Sequence, residues 1–364
     1  MKILLVSKEW YPNNSTGLGI SSKLHLDILK KNGFLVKTVS KDIKYKTDFC
    51  LEFSNFFNFL SNFFIMKNKA NKIINEFKPD LIIVESLQTW ISELFLTLKY
   101  KNKTKIILVS HGVSIFPYKL KIRFLFRSII YLFYIPFLFF VMKRIDLIYS
   151  LNWTDKCDRH LDEKIFKLFN SRNKIVKFFN TSRFESNKNF KTKNKKIIIS
   201  HFGYIGEIKN QKDFLKVAEE FQNTEIIFRI IFQNYDYKYL KYCKNYCKIK
   251  RLNNIEFIDG NNINIFEKIK ESYLTINTSI TEVFPLSIVE SISLGVPFIS
   301  YDTGNTSFIK GGLIVTNISE LKNNIRVLCF NNFFYNQLKK IGIDYYNENL
   351  NNIRLQKVFK NFDI

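Results

Sequence analysis

Glu282 and Glu290 are separated by seven residues inside the run Thr278-Ser-Ile-Thr-Glu-Val-Phe-Pro-Leu-Ser-Ile-Val-Glu-Ser-Ile-Ser-Leu-Gly-Val-Pro297. Pro285 suits the first turn of a helix, where its missing N–H costs nothing. Ile288, Val289 and Ile292 give that helix an apolar face, Gly295 caps it and Pro297 prevents its continuation. Glu282 then lies in the loop before the helix, and Glu290 lies inside it. Both carboxylates can accept hydrogen bonds from sugar hydroxyls. The N–H groups at the helix start, helped by the helix dipole, can hold phosphate oxygens. One loop–helix unit is thus suited to a sugar, a diphosphate and a ribose. For a bare pair of glutamates a solvated helix face is the better reading; the whole string favours the site.

Other residues carry weaker signals of the same chemistry. Gly17 and Gly19, in Thr16-Gly17-Leu18-Gly19, let a backbone approach a diphosphate closely, although a tight turn needs the same residues. His111 follows an apolar strand and so stands at the functional end of a parallel sheet. Lys209 is one lysine among many, but it keeps a fixed spacing from Gly203. The sequence has no Ser-His-Asp or Cys-His motif and no D-x-D metal motif.

The elements that must position these residues alternate. Apolar strands are expected at Ile3–Ser7, Leu35–Ser40, Leu81–Val84, Ile106–Ser110 and Leu147–Ser150, with helical spacing at Ile20, Leu24 and Ile28 and at Asn71–Phe77. A Lys- and Asn-rich stretch, Ser186–Lys196, interrupts the pattern. Strands resume at Ile197–Ser200, Ile226–Ile231, Ile255–Ile258, Leu274–Asn277, Phe298–Ser300 and Leu313–Val315, with helices clearest at Lys212–Phe221 and Leu286–Leu294. Short apolar strands separated by helices predict βαβ units and parallel sheets covered on both faces. The fold class is α/β: two doubly wound domains in tandem, with ligands beyond the carboxyl ends of the strands and a cleft where two sheets face each other.

The Glu282–Glu290 string resembles the donor-site signature of the retaining glycosyltransferases of family 4, also called glycosyl transferases group 1. Their segment reads S-x-x-E-G-F-P-L-x-x-L-E-A-x-A-x-G-x-P. Ser279, Glu282, Phe284, Pro285, Leu286, Glu290, Gly295 and Pro297 match it, while Val283 and Ser291 replace a Gly and an Ala. In that family the first Glu contacts the donor sugar and the second binds the ribose; the resemblance implies those roles here. Gly17 and Gly19 occupy the place of the family's glycine loop. Pro79-Asp80 is similar to P-D-x-I-x-x-H, with Glu85 and Ser86 near the place of the His. Ser110-His111-Gly112 looks like the H-G whose His faces the donor sugar. His201–Gln211 resembles V-G-R-L-x-x-x-K-N-Q, so Lys209 matches the phosphate-binding lysine and Tyr204 replaces its arginine partner. Gly304-Asn305 stands where the family has G-G. Asn180–Phe184 resembles N-G-V-D-x-x-F, with Thr181 for Gly and Arg183 for Asp.

The resemblance implies a GT-B fold: a Rossmann-like acceptor-side domain over residues 1–185, a nucleotide-sugar donor domain over 186–344, and a helix at about 345–364 returning to the first domain. It implies retaining transfer from a nucleotide-diphosphate sugar to a glycan or lipid-linked acceptor, in bacterial surface polysaccharide assembly. His111, Glu282 and Lys209 would be catalytic. Gly17, Gly19, Lys209, Phe284, Pro285, Leu286, Glu290 and Gly304 would bind the donor. No metal or other cofactor is expected. A nucleotide-sugar epimerase shares the fold, but the Glu pair argues against it. A non-catalytic nucleotide-sugar-binding subunit is the rival that Tyr204 and the charge support.

Composition sets outer bounds. A chain of 364 residues with 46% hydrophobic residues can fill two cores. The net charge of +24 favours anionic partners, whether nucleotide phosphates, nucleic acid or a membrane surface. An AT-rich genome would produce the same crowd of Lys, Asn, Ile and Phe, so the charge alone does not choose. No nucleic-acid recognition motif accompanies it, and no nucleic acid is expected. Five cysteines without paired C-x-x-C motifs read as reduced, cytosolic thiols. Met1–Ser7 reads as a strand and not as a signal peptide. The apolar stretch Ser128–Met142 falls short of the roughly 20 residues of a membrane span. It reads as a buried helix or as a monotopic membrane-surface segment; with the basic and aromatic residues of Tyr118–Arg144, the second reading would give peripheral attachment to the cytoplasmic face of an anionic membrane.

Overall fold

The computed structural model describes residues 1–13, 16–53, 56–98, 100, 104–113, 134–154, 161–169, 174–184 and 196–360. The chain divides into two compact units, Met1–Phe179 with Leu355–Ile364, and Asn180–Arg354.

The first unit is built on strands β1 (Lys2–Ser7), β2 (Leu35–Ser40), β3 (Phe49–Cys50), β4 (Leu81–Glu85), β5 (Lys105–Ser110), β6 (Leu147–Ser150) and β7 (Lys174–Lys177). They pair in the order β3-β2-β1-β4-β5-β6-β7, every pair parallel. After an exposed Lys2 or Lys105, β1 and β5 are buried throughout, as β4 is over its whole length. Continuous apolar runs follow from helices lying on both faces of a parallel sheet. The helix expected at Asn71–Phe77 begins earlier, at Phe63, and buries Met66, Ala70, Ile73, Ile74 and Phe77 on one face. It ends at Lys78 in the left-handed region, with Pro79 next. The apolar pattern does not mark strands β3 and β7: one has two residues, and the other is an edge strand with Lys at both ends.

Of the apolar stretch Ser128–Met142, residues 128–133 lie outside the described residues. Residues 134–142 are helical, and Tyr134, Leu138, Val141 and Met142 are buried in the core of this unit. No described helix is long and apolar enough to cross a membrane. Within this unit Phe359, from the helix Asn352–Lys360, packs against Phe178 with ring centroids 5.7 Å apart.

The second unit repeats the plan with β8 (Ile198–Phe202), β9 (Ile227–Phe232), β10 (Ile255–Asp259), β11 (Leu274–Asn277), β12 (Phe298–Tyr301) and β13 (Gly312–Val315). Their order is β10-β9-β8-β11-β12-β13, again all parallel. Both sheets therefore grow outward in two directions from their first strand, the doubly wound Rossmann order. Each has a switch point, at β1/β4 and at β8/β11, where crevices for ligands form. Cys243 and Cys247 lie one turn apart on the helix Tyr237–Ile249 and are buried, and burial pushes their thiols up to about 12 and about 11. They are core residues; Cys157 lies outside the described residues.

Candidate active site

The switch point of the second sheet gathers the first group of candidate residues. The segment after β8 carries Lys209, and the segment after β11 carries Glu282. Backbone and side-chain bonds stitch the two together. Ile280 N–H donates to Ile208 O at 2.8 Å, and the Thr278 hydroxyl lies 3.0 Å from the carbonyl oxygens of both Lys209 and Asn210. Gln211 braces the first segment from within: its amide donates to Tyr204 O at 2.8 Å and accepts from Gly206 N–H at 3.2 Å. Asn210 adopts the left-handed conformation that turns the chain into the following helix, one that Asn tolerates better than most residues. Lys209 Nζ consequently meets Glu282 Oε1 at 2.5 Å, with both side chains still partly exposed.

Gly304 completes this corner. Its φ is +53°, and a Cβ there would collide with the backbone oxygen of Glu282 and stand 2.9 Å from that of Val283. Asn305 N–H donates to Val283 O at 3.0 Å, locking the two loops at backbone distance. Val283 itself lacks a positive φ, so the valine in place of the family's glycine fits without strain. Tyr204, in the arginine's place, is 45% exposed and lies over Gly206. His201, at the end of β8, is buried edge-on to Phe214. Burial first, and the charge of Lys209 second, hold its imidazole down to about 4, so it is neutral.

The helix Leu286–Ser293 carries Glu290. Pro285 is its N-cap rather than its first helical residue. At the other end Gly295 N–H bonds Ile292 O and Val296 N–H bonds Ser291 O, with Gly295 at φ +71°. That is a Schellman termination. Ser291, where the family has Ala, is satisfied by Ser287 O and Thr275 Oγ1 at 2.7 and 2.8 Å. Phe284 is buried and its carbonyl accepts from Asn180 Nδ2 at 3.0 Å, while Leu286 is half-buried. Glu290 is gripped by Arg183: Nε to Oε1 at 2.5 Å and a terminal nitrogen to Oε2 at 3.1 Å.

In the first unit the carboxyl ends of β4 and β5 bear a second cluster. Glu85, the last residue of β4, is wholly buried between two histidines. His25 Nδ1 is 2.6 Å from its Oε1 and His111 Nε2 is 2.9 Å from its Oε2. Burial alone would raise the Glu85 carboxyl, but the two imidazoles together hold it down at about 2. Gly17 and Gly19 form the first turn of the helix Gly17–Lys31, capped by Thr16, whose hydroxyl accepts from Gly19 N–H at 3.2 Å.

The structure thus brings Lys209, Glu282 and Gly304 together and sets Glu290 one helix away, with Pro285 and Leu286 at that helix's start. His111, Gly17 and Gly19 belong to the first unit. Arg183, His25 and Glu85 are not among the expected site residues, yet they join these clusters. Arg183 carried a signal, a charge reversal where the family has Asp, which Glu290 answers. His25 carried none, since a helical histidine 60 residues from Glu85 reveals no pairing.

Residues 182–312 match the family model of Glycosyl transferases group 1. An uncharacterized glycosyltransferase of Methanocaldococcus jannaschii, MJ1059, is 29% identical over 251 residues, or 64% of this chain. The match spans 58% of that relative's length, less than two thirds. Among solved structures, sucrose-phosphate synthase from Thermosynechococcus elongatus matches 99% of this chain and 98% of its own with a TM-score of 0.75 at 12% identity. HepE of Anabaena, in complex with UDP and glucose, matches the same shares with a TM-score of 0.71 at 12% identity. Likeness at that identity shows the fold, which is GT-B.

Proposed function

We propose that this chain, which matches the Glycosyl transferases group 1 model over residues 182–312, is a glycosyltransferase that moves a sugar from a nucleotide-diphosphate sugar onto a glycan or lipid-linked acceptor, retaining configuration at the transferred carbon. The observation that carries the reading is the paired arrangement at the second unit's switch point: Glu282 on Lys209 at 2.5 Å, and Glu290 on Arg183. The acceptor's hydroxyl oxygen bonds the anomeric carbon as the bond from that carbon to the diphosphate oxygen breaks; the electron pair of that bond, and the acceptor's proton, go to the diphosphate. The Lys209 ammonium and the helix start after Pro285 stabilise that leaving group. An ammonium has three donors, so Lys209 can keep Glu282 and still bind phosphate. Glu282 accepts from sugar hydroxyls. Glu290 accepts from the ribose, since each carboxylate oxygen retains a second lone pair beyond the one Arg183 uses. Backbone at Gly304 approaches the donor closely. The first turn at Gly17–Gly19 is assigned to the diphosphate and His111 to the sugar. The scheme calls on no protein nucleophile and no metal.

The setting we propose is bacterial surface polysaccharide assembly, with peripheral attachment to the cytoplasmic membrane face, which the net charge of +24 supports. Flotation with anionic vesicles tests the attachment, and protein left at the bottom of the gradient rejects it. The donor is tested by melting the protein against UDP, GDP, ADP and their sugars, UDP-glucose first, beside Glu290→Gln. A ligand that binds only the folded state raises the melting temperature. A shift with one nucleotide sugar, lost in the variant, supports the reading and names the donor. No shift with any, together with no turnover, rejects it.

A further inference from the structure

Glu85 is fully buried in the first unit, between the rings of His25 and His111. A carboxylate has no proton to give, so both ring nitrogens that face it must carry one. His25 therefore presents Nδ1–H and His111 presents Nε2–H. In their neutral forms the two imidazoles are thus held in opposite tautomers by one residue. His25 is in turn fixed: its ring lies edge-on to Phe178 and Phe359 with centroids 5.4 and 5.3 Å away, and Ser21 Oγ stands 3.5 Å from its Nε2. His111 is the outer member, its side chain 15% exposed. Its remaining nitrogen, Nδ1, has no hydrogen-bond partner among the described residues. In the neutral ring it can only accept.

We propose that Glu85 is a positioning residue that locks His111 in the Nε2–H tautomer, so that His111 offers the donor a bare Nδ1 acceptor and selects a sugar with a hydroxyl to give at that point. This rests on the assignment of His111 to the donor sugar. His25 acts as the far wall of the lock, holding the other carboxylate oxygen so that Glu85 cannot rotate away. A glutamine at position 85 would accept with one atom and donate with the other, so one ring would have to turn its tautomer over. His111, at the rim, is the ring with room to do so.

The test uses the full chain labelled with 15N at histidine, of which there are four. Two- and three-bond proton–nitrogen correlations at mildly alkaline pH distinguish the two tautomers directly. Wild type is expected to show His111 as Nε2–H and His25 as Nδ1–H, and Glu85→Gln to convert His111 wholly or partly to Nδ1–H. In the same variant kcat, with whichever nucleotide sugar shifts the melting temperature, should fall by about 10-fold or more. KM for that donor should change by less than about 3-fold, because the nucleotide is bound elsewhere. A wild-type His111 found as Nδ1–H, or a Glu85→Gln protein with an unaltered His111 spectrum, overturns the proposal. If Glu85→Gln does not fold, the wild-type spectrum alone decides. Full turnover in His111→Gln would instead remove the assignment of His111 on which the proposal rests. That outcome leaves the tautomer spectrum untouched, so the two failures are told apart.

Discussion

Arg183 closes on Glu290 with both arms of its guanidinium, joining residues 107 apart in the chain in a fork-to-carboxylate pair that leaves Glu290 about 5% exposed. A bidentate pair fixes the carboxylate plane as well as its charge.

Removing the guanidinium strands a buried carboxylate. Arg183→Ala is expected to cost about 3 kcal/mol of stability, against less for Arg183→Lys, which keeps the charge and loses the fork. The Arg183→Ala/Glu290→Ala double variant should recover part of the loss. Urea unfolding of the four proteins of this cycle measures the coupling. Strictly additive single effects would show that the pair contributes nothing.

Lys209 is partly exposed, so its loss should be felt in turnover more than in folding. Lys209→Ala is expected to lower kcat by about 100-fold or more, as for removal of a donor to a developing oxyanion. Steady-state kinetics and a melting curve check it together. A large fall in melting temperature with unchanged kcat would assign the residue to the fold alone.

Gly304 has no room for a side chain, and its neighbours are backbone oxygens that cannot step aside. Gly304→Ala should destabilise by more than about 1 kcal/mol, because the positive φ and the collision act together. It should also abolish the nucleotide-sugar shift by moving the loop that carries Glu282. A variant that melts and binds as wild type does would contradict the geometry.

His201 gives stability a pH dependence of definite sign. Its imidazole is held down to about 4 in the folded chain against 6.5 unfolded, so between these values the unfolded chain binds more protons. Stability should fall as pH drops through that window, by about 3 kcal/mol in full, and should not depend on this residue above it. His201→Phe should flatten the curve between pH 4 and 6.5. Denaturant titrations at stepped pH decide, and parallel curves for the two proteins would show that His201 is not the source.

Much of the fold could be read locally. The strands Leu35–Ser40, Leu147–Ser150 and Leu274–Asn277 begin and end where their apolar runs do. The helix carrying Glu290 stops where Gly295 must take a left-handed turn. The polar stretch Ser186–Lys196 is expected to part the two domains, and its residues 186–195 lie outside the described residues. The second unit nonetheless takes up the chain at Asn180, because Asn180 bonds Phe284 O and Arg183 bonds Glu290.

By itself, then, the sequence determined what depends on a few neighbouring residues: the α/β alternation, the loop–helix bearing Glu282 and Glu290, and the glycine that ends that helix. Period, φ restriction and missing N–H groups act over one or two turns of chain. Only the tertiary structure decided which charges meet. Strand order brings Lys209 to Glu282 across 73 residues, and β4 carries Glu85 between His25 and His111, 60 and 26 residues away. Such pairings follow from which strands lie side by side, and no local pattern encodes them.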